Sequence, residues 1–122
     1  MTTRQSQDLV WTILTDPANT AELLLGAYGL TAFSVPAGWP ALNGIFFEVK
    51  VRADDTWGAA NINGVPIAIP AGGGLAGTRQ ILDPPLSGVY SCRACSGVPG
   101  AKINLLADQT IIPRVMQIYG RA

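Results

Sequence analysis

Ile45-Phe46-Phe47-Glu48-Val49-Lys50-Val51-Arg52 decides the fold. Ile45, Phe47, Val49 and Val51 fall on one parity, and Phe46, Glu48, Lys50 and Arg52 on the other. Successive side chains of a strand point to opposite faces, so this segment has one apolar and one mostly charged face. That is the pattern of a half-buried strand in an antiparallel sheet. Other strands must then cover its apolar face.

Working outward, the segment before it, Leu30-Thr31-Ala32-Phe33-Ser34-Val35, also alternates. Pro36 stops it, because proline donates nothing to a strand ladder. Trp39-Pro40 follows in a loop, and Trp39 reads as a core plug or a rim contact. Upstream, Leu9-Val10-Trp11-Thr12-Ile13-Leu14 is a short apolar run bounded by the turn Asp16-Pro17-Ala18-Asn19. It reads as a first strand or as an amino-terminal arm. Leu23-Leu24-Leu25 is a short strand, and Gly26-Ala27-Tyr28-Gly29 a turn.

Downstream, Ala53 to Gly58 is a turn carrying Trp57. Asn63-Gly64 is a two-residue hairpin signal joining Ala60-Asn61-Ile62 to Val65-Pro66-Ile67-Ala68-Ile69, with Pro66 marking an edge strand. Gly72-Gly73-Gly74 resembles a phosphate loop only in composition, since no Gly-Lys-Ser/Thr and no helix pattern follow. Thr78 to Leu82 is a strand, Asp83-Pro84-Pro85-Leu86-Ser87-Gly88 a rigid turn, and Tyr90 to Cys95 a strand closed by the turn Ser96-Gly97-Val98-Pro99-Gly100. Lys102 to Ala107 is a short strand. Thr110 to Tyr119 is the last, with Pro113 at an edge or bulge. The sum is about eight short strands, no helix and no repeat. An antiparallel β-sandwich or jelly roll is expected, with a loose arm or first strand over residues 1–19 and the sandwich over 20–122.

Composition narrows function. Of 122 residues, 48% are apolar and 13% charged, and eight basic side chains balance eight acidic ones. Such a chain lacks the field that gathers nucleic acid or an anionic membrane. Its uncharged surface calls for cover, in a homo-oligomer or a larger assembly. No run reaches the eighteen or so apolar residues of a membrane helix, and the polar start is no signal peptide. Synthesis in a cytoplasm is expected.

There is no histidine, so the commonest general base is missing and no Ser-His-Asp or Cys-His arrangement exists in the chain. Cys92 and Cys95 form a C-x-x-C without a second pair of ligands for zinc. They lie within a strand, where positions i and i+3 face opposite sides, so they read as structural free thiols. Asp54, Asp55, Asp83 and Asp108 sit at turns without calcium-loop spacing and read as solvated turn carboxylates. No catalytic residue, metal or cofactor is expected.

Leu23-x-x-Gly26-x-Tyr28-x-Leu30, Val35-Pro36-x-x-Trp39, Ile45-x-Phe47-x-Val49, Leu82-Asp83-Pro84, Tyr90-x-Cys92-Arg93 and Asp108-Gln109-Thr110-Ile111 resemble the scaffold elements of a family of small tailed-phage virion proteins. The resemblance spans roughly residues 20–112. Asp54-Asp55 stands where that family has a Ser-x-Asp-Gly turn, and Arg93 to Gly97 where it has Arg-Ser-Gly. The resemblance implies a head decoration (cement) protein on the capsid surface, a homotrimer bound to the major capsid protein. Its contacts would come from Leu9, Trp11 and Ile13 of the arm and from Trp39 and Trp57 of the loops. Removal of residues 1–14 should then leave the sandwich folded. The alternative is a tail- or fibre-associated carbohydrate-binding module stacking sugars on Trp39, Trp57 or Tyr90.

Overall fold

The structure is a computed structural model and describes residues 11–71 and 74–117. It is an all-β, antiparallel sandwich. In chain order the strands are β1 (Trp11–Ile13), β2 (Leu23–Leu24), β3 (Tyr28–Ser34), β4 (Ile45–Lys50), β5 (Gly58–Ala59), β6 (Asn61–Ile62), β7 (Val65–Pro66), β8 (Ala68–Ile69), β9 (Arg79–Leu86), β10 (Ser91–Val98), β11 (Ala101–Lys102) and β12 (Gln109–Gln117). One sheet has the order β1-β12-β3-β9. The second has the order β11-β10-β4-β5, with β2 also paired to β10 and β8 to β4, and β6-β7 is a separate hairpin.

The parity of the β4 segment sets the interface between the sheets. Ile45 and Phe47 point inward, and Phe47 meets Phe33 of β3 edge to face, with ring centroids 5.5 Å apart and planes at 72°. That geometry suits the quadrupoles of the two rings and ties one sheet to the other. Trp11, Ile13, Leu30, Trp39, Cys92 and Ile111 complete the centre of the core.

Several sequence expectations need correction. Among the described residues twelve strands occur rather than about eight, because six of them have only two residues, too few for any periodicity to mark. Tyr28 and Gly29 belong to β3 rather than to a turn. The proline turn after Leu82 is strand: β9 runs on through Asp83, Pro84 and Pro85 to Leu86. Among the described residues its ladder partner is β3 alone, which makes it an edge strand that tolerates missing N–H donors. Likewise β10 continues through Ser96 and Gly97 to Val98, where β11 pairs with it. Pro113 lies in β12, and the register with β3 breaks just after Arg114. A bulge thus falls beside it.

The amino-terminal segment from Trp11 on is a first strand of the domain and not a loose arm. Trp11 pairs with Ile111, is 5% exposed, and donates its indole N–H to the Ala21 carbonyl oxygen at 3.0 Å. Ile13 is fully buried. Removing residues 1–14 would therefore strip two core side chains, and the expectation that the sandwich survives it is wrong. Leu9 lies outside the described residues.

Candidate functional site

The outer face of the second sheet carries the densest polar construction in the described residues. Across β4 and β10 the register places Phe46 beside Cys95, Glu48 beside Arg93, and Lys50 beside Ser91, all on the side away from the core. Sequence alternation marked this face as exposed and charged. Phe46 is nevertheless fully buried. It and Cys95 lie in a row with the charged pair Glu48 and Arg93, and long charged side chains cover apolar surface with their stems while keeping their heads in water.

Glu48 is the hub. Its Oε1 accepts from Arg93 at 2.6 Å and 2.7 Å, and the Lys102 ammonium lies 3.6 Å away. The side chains of Arg93 and Glu48 are 19% and 15% exposed, so the pair is partly shielded from water. Lys102 also donates to Asn19 Oδ1 at 2.8 Å. Beyond Glu48 the half-buried indole of Trp57 packs on two cations, with the Arg93 guanidinium 4.3 Å and the Lys50 ammonium 5.0 Å from the ring centroid. The sequence places Trp57 just before β5, whose Gly58 pairs with Val49, so the chain folds the ring back over β4. At the far end, buried Ser91 donates its hydroxyl to Glu22 at 2.6 Å.

The residues expected to make partner contacts divide sharply. Trp11 and Ile13 are core, and Trp39 is 4% exposed with its N–H on the Asn43 carbonyl oxygen at 2.7 Å. None of the three presents a surface, so as contact residues they are corrected to structural ones. Trp39 is the core plug of the two readings given for it. Only Trp57 sits at the surface as a contact residue must, and Tyr90 is exposed nearby in sequence to β10. The tie between Lys50, Arg93 and Trp57 was missed. Its signal was the row of charges on β4 facing Arg93 of the neighbouring strand, legible only once the strand register is known.

The cysteines lie on opposite faces of β10. Cys92 joins the core and Cys95 lies under Glu48, Lys102 and Arg93, and burial pushes both thiols up to about 12. At neutral pH they are protonated and inert. Asp55 accepts from the backbone N–H groups of Val51 and Thr56, and these hold its carboxyl below the ordinary 3.8. Asp108 is held low by the hydroxyl and N–H of Thr15. Both carboxylates thus serve their own turns. Among the described residues no three His, Cys, Asp or Glu side chains gather as metal ligands.

The first sheet's outer face differs. One cross-strand row is Arg79, Ser34 and Ile112, and the next is Ile81, Ala32 and Arg114. Ile81 is 79% and Ile112 57% exposed. Beside Ile81, a groove of about 390 Å³ opens between β9 and the β7–β8 segment, lined by Val65, Ile67, Ile69, Ile81 and Leu82 among others.

These surfaces define a small antiparallel β-sandwich with one polar, aromatic outer face and one partly apolar outer face. No protein-family model, curated protein or solved structure matches the chain.

Proposed function

We propose that this chain is a non-enzymatic structural protein of a phage virion, a decoration protein that binds the assembled capsid shell and stabilises it. The observation that carries the reading is the outer face of the first sheet, where Ile81 and Ile112 stand exposed between Arg79 and Arg114. Isoleucines in adjoining rows beside an apolar groove are better suited to a protein partner than to water. The absence of histidine from the sequence supports a role without acid–base chemistry. The resemblance across residues 20–112 supports the virion assignment. In this reading the subunits associate as a trimer around a symmetry axis and contact the major capsid protein. Binding only the assembled shell raises its stability by mass action.

Light scattering of the purified protein, alone and with heads that lack it, tests the reading. A trimer that saturates the heads and raises their melting temperature is the expected result. A monomer that ignores heads overturns it. Deletion must stop at residue 10, ahead of core Trp11, and is expected to weaken head binding while leaving the sandwich folded.

A second reading, a carbohydrate-binding module, is favoured by one observation. Of the three tryptophans, Trp57 alone lies at the surface, set among hydrogen-bonding side chains as a sugar platform would be.

A further inference from the structure

We infer that the outer face of the second sheet is a binding site for an acidic saccharide, a sugar carrying a carboxylate, seated on Trp57 with its charge on Lys50. The inference rests on the second reading above and adds the chemical class of ligand.

Three features lead to it. The first is the platform. Lys50 and Arg93 rise from the same sheet surface, and both cations meet the half-buried indole. Two cations on one ring hold it in place and remove the entropic cost of ordering it on binding. An aromatic ring so held offers a flat apolar surface that fits the C–H face of a pyranose.

The second is the charge. Of the chain's eight lysines and arginines, Arg93 and Lys102 meet Glu48 on this face, and Lys50 and Arg93 meet Trp57. Arg93 is committed to Glu48 by two close contacts, and Lys102 to Glu48 and Asn19. Lys50 packs on the ring and, although its charge acts on Asp55, makes no close ion pair among the described residues. Its three donors are the ones left for a ligand, and what they bind best is an anion.

The third is a consequence of the first two. Two cations already on the indole draw on its electron-rich π system, so the ring is a poor seat for another cation. Positively charged ligands are disfavoured there, and neutral sugars lack the partner that Lys50 calls for.

The test follows the fluorescence of the full chain at low ionic strength. Trp11 and Trp39 are buried, so a change on titration reports Trp57. The probes are galacturonate and glucuronate oligomers and sialyllactose, with lactose and cello-oligosaccharides as neutral counterparts. The expected result is saturable binding of an acidic probe, weakened at high salt. Trp57→Ala should abolish it and Trp57→Phe retain part. Lys50→Gln should lower affinity for the acidic probe about tenfold and leave neutral sugars untouched, as loss of one charge-assisted hydrogen bond predicts. Unchanged melting temperatures for Trp57→Phe and Lys50→Gln keep the test independent of folding. Equal binding of acidic and neutral probes would overturn the carboxylate assignment while leaving the carbohydrate reading intact. No binding of any probe up to about 10 mM, the weak limit of a specific site, would overturn both.

Discussion

On the outer face of the second sheet each charged side chain meets a partner: Glu48 holds Arg93 and Lys102, and Lys50 and Arg93 hold Trp57. On the outer face of the first sheet, Ile81 and Ile112 stand in water, and Arg79 and Arg114 form no ion pair among the described residues. The same β-alternation produced both faces. The difference lies in what the neighbouring strand supplies. Opposite Glu48 the register brings an arginine, so the face closes over itself. Opposite Ile81 it brings Ala32 and opposite Ile112 it brings Ser34, which cover nothing. A face that pairs its charges but leaves Lys50 without an acid suits a small anionic ligand, and a face that leaves apolar surface open suits a macromolecule.

The comparison presumes a common core, and the largest effect comes from breaking it. Phe47→Ala removes the ring that meets Phe33 across the sheets. It should cost about 3–5 kcal/mol, most of the stability of a small domain, and remove both faces together. Urea unfolding measures it, and a loss below about 1 kcal/mol would show that the two sheets do not depend on that contact.

A smaller effect separates the faces. Glu48→Ala leaves the part-buried Arg93 without its acceptor and should cost about 1–3 kcal/mol, less than a fully buried pair. A double-mutant cycle with Arg93→Ala isolates the pair, and no coupling would mean that the charged cover is ornamental. On the other face, Ile81→Asp and Ile112→Asp should change stability by no more than about 0.5 kcal/mol, since both side chains are exposed. Yet they should weaken self-association or capsid binding, read by sedimentation. Wild-type association in either variant would move the docking surface elsewhere.

The smallest effect is a pH dependence outside both faces. Asp108 has a folded pKa below its ordinary 3.8 because Thr15 donates to it twice. Its contribution is therefore present above pH 3.8 and lost as pH falls through the lower folded value. Asp108→Asn should lower the melting temperature slightly at neutral pH, with the difference from wild type vanishing in acid.

Much of the fold was legible because long strands announce themselves. β3, β4, β10 and β12 each overlap a stretch whose alternation or β-branched content marks a strand, and Asn63-Gly64 marks the β6–β7 turn, with Asn63 at φ 53°. What was not legible has two physical causes. Proline was read as a stop at Pro84 and Pro85, but at a sheet edge it costs no ladder bond. Alternation was read as exposure, but Phe46 lies on the polar parity and is buried in a row with the pair that Arg93 and Glu48 make. For the site, Trp57 is the tryptophan of the three that is half-buried rather than core. Trp11 and Trp39 have the same composition signal and went into the core, because one pairs with β12 and the other anchors its N–H inside. A single tryptophan in a sequence carries no mark of which way it will turn.

The two cysteines of β10 make a pair of clocks. Cys92 is closed off by the joined sheets and Cys95 by the layer of ions above it. With both thiols pushed up to about 12, neither is alkylated at neutral pH until something opens. The label that reaches Cys95 times the lifting of the polar layer, and the label that reaches Cys92 times the parting of the sheets. One strand thus records separately how often each side of it is uncovered, without any added probe.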